Sequence, residues 1–272
     1  MTAGTAASPA RPFAAVRAVL LVALTITTVA PLLLLVATSF SGPWFFPALA
    51  PSAWTTAGWQ FGLDGARLGR ALWTSVGLAL ATGVLACAIA LPLGRAMAGL
   101  RGWRRYVAAA AAFLPVAAPP LALGTGLQVL LLRLGMGGTA PGVLVAHLVP
   151  AVGYLALIFL GTFTLFDKRV EEEARTLGAT RMETWGRITL PLLRPQIAEA
   201  MIVGFLISWS QFALTLVAGG GVVRALPLEI FAYVRAGLAR PAAVGALLLV
   251  VPPAAAFVAL RWAARRNVAS LA

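Results

Sequence analysis

Six long apolar stretches are the feature that most constrains how this 272-residue chain can fold. They cover about residues 18–40, 71–94, 106–132, 142–166, 197–219 and 242–260. A helix needs roughly 20 mostly apolar residues to cross the hydrocarbon of a bilayer, and each stretch provides about that many. Since 61% of the residues are apolar and 11% are charged, one water-facing globule could not cover this apolar surface. The sequence therefore predicts an all-α integral membrane protein with six transmembrane helices.

The third apolar stretch is interrupted by Pro115, Pro119 and Pro120. Prolines are tolerated in membrane helices where neighbouring helices satisfy the freed backbone groups. We therefore expect a bundle of bent helices around a cavity rather than a simple membrane anchor.

The distribution of basic residues predicts the orientation of the chain. With a cytoplasmic N-terminus, the inner segments hold 15 Lys and Arg residues and the outer segments hold six. Cytoplasmic loops carry such an excess, so both termini and the segment 167–196 are expected in the cytoplasm. The net charge of +13 follows from these flanking residues and does not indicate nucleic-acid binding. The apolar run after Arg17 is longer than the roughly 7–15 residues of a signal peptide, which predicts an uncleaved first helix.

Charge is concentrated in one segment, because residues 167–187 hold ten of the chain's charged side chains. The pattern predicts a short helix at about 170–177, followed by a turn at Gly178, where glycine tolerates conformations that other residues resist. Thr180 and Glu183 have the spacing of a capping box, which starts a second helix. Clustered carboxylates are repelled by anionic lipid, so this segment favours a cytoplasmic protein partner over the membrane surface.

The second predicted helix carries an apolar face formed by Met182, Trp185 and Ile188. Pro191 and Pro195 are expected to end this helix and to start the fifth membrane span, where the first turn lacks backbone partners.

The segment from Glu172 to Pro191 resembles the EAA loop of the membrane-spanning permease subunits of type I ABC importers. Glu172 and Ala174 match the motif, Gly178 has the family spacing, and the Ile-x-Leu-Pro pattern ends at Pro191. The sequence departs from the family at Glu173, where the family has alanine. The resemblance covers about residues 70–262, and residues 226–241 look closer to the polyamine-type than to the sugar-type permeases.

The resemblance implies a permease core over residues 70–266, with the EAA loop at 167–196. Residues 1–69 would form a cytoplasmic N-terminus, the first transmembrane helix and an outer loop, and residues 267–272 a cytoplasmic tail. The implied location is the bacterial cytoplasmic (inner) membrane. The implied partners are separate ABC ATPase subunits that bind ATP and Mg, a second permease subunit of the same or a related chain, and an extracytoplasmic solute-binding protein.

The EAA loop would dock on the ATPase as a coupling helix. The residues expected to form this ATPase-docking surface are Glu171, Glu172, Glu173, Ala174, Arg175, Leu177, Gly178, Thr180, Met182, Glu183, Trp185, Ile188, Leu190 and Pro191.

The chain has no phosphate-binding loop of the Gly-x-x-x-x-Gly-Lys-Ser/Thr type, since its one lysine, Lys168, precedes Arg169. We therefore expect no ATP hydrolysis and no catalytic or metal site in this chain. An ion-coupled secondary transporter is an alternative, but it requires buried acids or an equivalent polar site. A lipid-active enzyme is a further alternative, and for the lone His147 helix packing is favoured over catalysis.

Two sets of polar residues are candidates for contact with a solute or with a partner protein. The candidate solute path consists of Thr125, Gln128, Ser208, Gln211 and Thr215, for which hydrogen bonding between helices is the alternative. The candidate contact with the binding protein consists of Arg224, Glu229, Tyr233 and Arg235, for which a short interfacial helix is the alternative. The expected solute is small and polar. The resemblance favours a polyamine-like compound, with a sugar, thiamine, iron or phosphonate as the alternatives.

Overall fold

The structure, a computed structural model, describes residues 11–44, 47–64 and 66–269. Side chains are described for residues 16–44, 47–60 and 67–258. Within these ranges the chain is helical, and one antiparallel bridge joins Ser41 to Trp54. The all-α prediction is confirmed.

Thirteen α-helices and one π turn follow one another in the described ranges. They are α1 (Arg11–Ser39), α2 (Ala57–Asp64), α3 (Ala66–Gly99), α4 (Trp103–Ala117), α5 (Pro120–Arg133), α6 (Ala140–Leu165), α7 (Arg169–Thr176), α8 (Arg181–Thr184), the π turn (Trp185–Thr189), α9 (Leu190–Leu192), α10 (Arg194–Trp209), α11 (Phe212–Ala218), α12 (Leu226–Arg235) and α13 (Ala239–Ala269).

Four of the described helices, α1, α3, α6 and α13, are each long and apolar enough to cross a membrane. Two bent pairs reach the same length: α4 with α5, bent by 97°, and the run Arg181–Leu192 with α10, bent by 71°. Four of the predicted spans are therefore present as single helices, and counting each bent pair as one span brings the number of candidate spans to six. The predicted fifth span is further divided, because α10 ends at Trp209 and α11 begins at Phe212.

The bend between α4 and α5 lies at Ala118 and Pro119. A residue that precedes proline is pushed out of the helical region, and Ala118 has extended backbone angles (φ −67°, ψ 137°). Pro115 remains inside α4, and Pro120 begins α5. Of the three prolines, Pro119 thus marks the interruption that the sequence predicts.

The prediction that Pro191 ends a helix was wrong. Pro191 lies inside the helical run Arg181–Leu192, and the bend follows at Leu193, just before α10. In an α-helix a proline ring clashes with the carbonyl four residues earlier. The π turn before Pro191, in which Leu190 N–H bonds to Trp185 O, is wider than an α turn, and it offers a way around this clash. Pro195 does stand in the first turn of α10, as expected.

The core is built where α3 packs against α6 and α10. Small residues allow these backbones to approach closely, as is common between membrane helices. A Cβ on Gly204 of α10 would lie 3.1 Å from the Cα of Gly83 of α3. A Cβ on Gly94 would overlap the Cβ of Phe159 in α6. Helix α3 is thus held on two sides by contacts that leave no room for a larger residue.

The close contact at Gly94 predicts that adding a single methyl group at this position destabilises the folded protein. Gly94→Ala should lower the melting temperature of the detergent-solubilised protein, because overpacking a core costs about 1–3 kcal/mol. Gly77→Ala is the matched control in the same helix, since a Cβ there meets nothing within 4 Å and alanine favours helix over glycine. Equal melting temperatures for the two variants would contradict the close packing of α3 on α6.

Candidate functional site

The charged segment folds as two short helices around Gly178. Gly178 has φ +91°, a conformation that L side chains rarely adopt. The Thr180 Oγ1 accepts a hydrogen bond from the Glu183 backbone N–H (3.3 Å), and the Glu183 carboxylate accepts one from the Thr180 N–H (3.0 Å). The predicted turn and capping box are therefore confirmed. The hydrogen bonds from the Thr180 backbone and hydroxyl lower the pKa of Glu183.

One arginine of α3 fixes this segment to the helical core. The Nη1 and Nη2 atoms of Arg95 donate to Oε1 and Oε2 of Glu171 in α7, both at 2.8 Å. The Thr189 hydroxyl donates to the same Glu171 Oε1 at 2.6 Å. Paired arginine–carboxylate bonds of this kind are strong and fix the geometry of both groups. Arg95, Glu171 and Thr189, which we call the Arg95 clamp, thus join α3 to both halves of the charged segment.

An aromatic contact supports the Arg95 clamp from the other side. The Arg95 guanidinium lies 4.6 Å from the ring centroid of Trp185, a favourable cation–π distance. The Trp185 ring in turn stacks on Phe163 of α6, with centroids 6.1 Å apart. The expected apolar face of Met182, Trp185 and Ile188 is therefore not a single exposed face. Trp185 packs on its own chain, whereas Met182 is 79% exposed.

Two of the docking candidates, Glu171 and Trp185, make contacts within the chain. The Glu171 carboxylate bonds to Arg95 and Thr189 and is mostly buried (14% exposed), and Trp185 is half-buried. Both residues therefore anchor the loop, and their contact with a partner stays a prediction. Sequence spacing contained no signal for the contact with Arg95, because Arg95 lies 76 positions before Glu171.

The other docking candidates surround Gly178 on the outer surface of the loop. Leu177 is 89% exposed and Met182 is 79% exposed. A shallow hollow of about 380 Å³ between the two short helices is lined by Ala174, Leu177, Gly178, Ala179, Glu183, Arg187 and Ile188. The side chains of Glu172, Glu173, Arg175 and Thr180 are exposed, whereas Leu190 and Pro191 are half-buried. The loop therefore presents two apolar side chains within a charged rim.

Two of the candidate solute-path residues bond to a histidine instead of facing a cavity. His147 of α6 is buried, with its Nδ1 2.8 Å from the Ser208 Oγ and its Nε2 2.9 Å from the Thr215 Oγ1. Thr215 also bonds to the Gln211 carbonyl. For Ser208 and Thr215, hydrogen bonding between helices is therefore the role that the geometry supports. His147 holds α10 and α11 together across the break at Ser210 and Gln211.

The remaining path candidates are less enclosed. The Gln211 and Gln128 side chains are half-buried, and Thr125 is exposed, with its hydroxyl bonded to the Ala122 carbonyl of its own helix at 2.9 Å. Among the described side chains, none of these three is hydrogen-bonded to the side chain of Ser208 or Thr215.

The candidate contact with a binding protein is also corrected in part. The Glu229 carboxylate is 2% exposed and pairs with the Nε of Arg67 (3.3 Å) and the Nη1 of Arg224 (3.5 Å). Tyr233 is 6% exposed. Burial removes Glu229 and Tyr233 from the surface, so Arg224 and Arg235 are the members of this group that a partner could touch.

Removing one side of the Arg95 clamp should loosen the loop. Glu171→Gln should raise the hydrogen-exchange rate of amides at 180–189, because a charge-assisted pair of this partly exposed kind is worth about 1–3 kcal/mol. Glu172→Gln is the matched control, since it makes the same change on an exposed neighbour. Equal exchange rates in both variants would show that the Arg95 clamp does not hold the loop.

The Arg95 clamp should also respond to acid. Burial alone would raise the pKa of Glu171, but the hydrogen bonds from Arg95 and Thr189 and the nearby positive charges outweigh it and lower the pKa below its ordinary value of 4.5. A lowered pKa stabilises the folded state above pH 4.5 and loses this effect as the pH falls through the folded value. The difference in melting temperature between the parent protein and Glu171→Gln should therefore be constant from pH 7 to about 5 and should narrow in acid. A difference that does not change in acid would refute this.

Known proteins resemble this chain over most of its length. The Mycobacterium tuberculosis molybdenum transport system permease protein ModB is 33% identical over 210 residues, which cover 72% of this chain and 78% of that protein. The Escherichia coli (strain K12) putrescine transport system permease protein PotI is 27% identical over 226 residues, covering 77% and 76%.

A solved structure of a bacterial ABC transporter that imports the acidic polysaccharide alginate has the same fold, with a TM-score of 0.72 at 15% identity over 94% of this chain and 96% of that chain. Residues 90–268 match the family described as binding-protein-dependent transport system inner membrane component. This match includes the Gly178 turn, the capping box and Arg95. The chain belongs to the family of inner membrane components of binding-protein-dependent transport systems.

Proposed function

We propose that this chain forms part of the membrane path of an ATP-driven importer for a small polar solute, and that the loop 167–196 receives motion from a separate ATPase. The family description, inner membrane component of a binding-protein-dependent transport system, supports the inner membrane as the location and a binding protein as a partner. The chain itself would perform no chemistry on its solute.

The observation that carries the proposal is the contrast between the two sides of the loop. On the inner side, Arg95 holds Glu171 through two bonds of 2.8 Å. On the outer side, Leu177 and Met182 remain exposed on either side of Gly178. Exposed apolar side chains within a polar rim are typical of protein contact sites. A partner seated on this surface would push on a loop that cannot move without α3.

The proposed orientation, with the loop in the cytoplasm, is supported by two ionic groups at opposite ends of α3. Glu171 meets α3 near its C-terminal end, at Arg95, whereas Glu229 meets α3 near its N-terminal end, at Arg67. The rise of 1.5 Å per residue separates the two arginines by roughly 40 Å, enough to cross a bilayer. With the loop and both termini in the cytoplasm, Arg67 and α12 lie on the outer side. A solute-binding protein would deliver the solute there.

The subunit arrangement we propose is a pair of permease chains, identical or related, on two ATPase subunits that bind ATP and Mg. Bending of α4 against α5, and of α10 against the loop helices, would allow these elements to tilt when the ATPase closes. The side chains of Gln128 and Gln211, which are half-buried, are proposed members of the solute path.

Two exposed side chains test the docking surface. Leu177→Asp and Met182→Asp should each reduce the amount of ATPase that copurifies with the permease by at least tenfold, because an unpaired charge would be placed in an apolar contact. Val234→Asp is the matched control, since Val234 is 61% exposed on α12 at the other end of α3.

The measurement is the ratio of ATPase to permease after affinity purification of the complex from membranes. Retention of the ATPase by both loop variants, or equal loss in Val234→Asp, would overturn the proposed docking surface.

A further inference from the structure

The outer end of α3 opens into a cavity of about 530 Å³. Its lining comes from the first turns of α3, the start of α6 and the loop before α12. The lining residues are Arg67, Arg70, Ala71, Thr74, Ala140, Val222, Val223 and Arg224. We call this space the arginine cavity.

Positive charge dominates the arginine cavity. Three of its lining residues are arginines, and the one carboxylate that pairs with them is Glu229, which is buried behind the lining. Arg67 and Arg224 each contact a Glu229 oxygen through one nitrogen, at 3.3 and 3.5 Å. A guanidinium group has five N–H donors, so most donors of both arginines remain available. Arg67 and Arg224 are also more than half exposed (58% and 54%), so their free donors can reach a ligand.

Arg70 adds a third cation that Glu229 does not neutralise. Among the residues whose side chains are described, Arg70 forms no salt bridge. Glu229 therefore fixes two arginines in place and leaves the arginine cavity with an excess of positive charge. Fixed arginines of this kind recognise planar or tetrahedral oxyanions well, because their donors match the spacing of the oxygens.

A helix terminus points to the same ligand chemistry. Ala140 is the first residue of α6 and lines the arginine cavity. The N-terminus of a helix carries a partial positive charge and free amides, and it attracts anions. In α6 the Gly142 N–H is bonded to the Thr139 hydroxyl at 3.1 Å and Pro141 has no N–H, so the helix acts on the cavity mainly through the partial charge of its terminus. Since α6 has 26 residues, its dipole reinforces the three arginines.

We propose that the arginine cavity binds a small inorganic oxyanion and is the place where this permease receives its solute on the outer side. This rests on the proposed transport function and names the class of its solute. A polyamine, which residues 226–241 suggested, would be repelled by three arginines. Molybdenum dissolves at neutral pH as the oxyanion molybdate, whose negative charge suits the arginine cavity. The volume of the arginine cavity lies within the range of small-molecule sites.

The test measures equilibrium binding of molybdate to the purified permease–ATPase complex in lipid nanodiscs, without binding protein. The parent complex should bind molybdate saturably, and sulfate should compete, whereas putrescine should neither bind nor compete. Arg70→Gln should weaken binding about tenfold, the usual effect of losing one charge-assisted contact. Arg70→Lys should be intermediate, because lysine keeps the charge but not the paired donors. Arg133→Gln, which removes an exposed arginine outside the cavity, should leave binding unchanged.

Three results would overturn the proposal: no saturable molybdate binding, equal affinity in Arg70→Gln and Arg133→Gln, or saturable binding of putrescine. A fourth result would also contradict the proposal: Arg70→Gln weakens docking of the binding protein but leaves molybdate binding unchanged. The arginines would then form a protein contact. The amount of ATPase that copurifies with the permease is measured in the same preparations. Loss of the ATPase from the parent complex would count against the transport function, whereas a retained ATPase without molybdate binding would count against the arginine cavity alone.

Discussion

The contact between Arg95 and Glu171 is the interaction on which the position of the charged loop depends. A loop on a membrane protein can transmit force only if it is tied to the helices that must move. Here the two bonds of 2.8 Å, the Thr189 hydroxyl and the stacked Trp185 tie the loop to α3 and α6. Because α3 itself is packed tightly at Gly83 and Gly94, movement of the loop must reach the bundle.

Helix α3 links two ionic groups at opposite ends. Arg95 meets Glu171 near the C-terminal end, and Arg67 meets Glu229 near the N-terminal end. Between these two ionic groups lie the close contacts of α3 with α6 and α10. The hydrogen bonds of His147 to Ser208 and Thr215 connect α6 to α10 and α11. Motion received at the loop could therefore change the spacing of the arginines that line the outer cavity. In the proposed importer, this would connect ATP hydrolysis in a partner to release of the solute.

Local patterns were read correctly from the sequence, whereas contacts between distant residues were not. The turn at Gly178 and the capping box of Thr180 and Glu183 depend on neighbouring residues and were predicted. The inward positions of Glu171 and Trp185 depend on Arg95 and Phe163, which no spacing rule connects to them. Glu229 was expected at the surface for the same reason, since its partner Arg67 lies far away in sequence. The continued helix through Pro191 was missed because a π turn has no clear sequence signal.

The most direct measurement of the central claim is the distance between spin labels at Arg175→Cys in the loop and Arg101→Cys just after α3, measured by pulsed electron paramagnetic resonance. The native Cys87 is buried, so labelling should be confined to the exposed sites. If the Arg95 clamp couples the loop to α3, the mean distance between the labels should be the same in the nucleotide-free and ATP-bound complex. Arg95→Ala should broaden the distribution of these distances. A distance that changes by several ångströms on ATP binding with the Arg95 clamp intact would contradict the account.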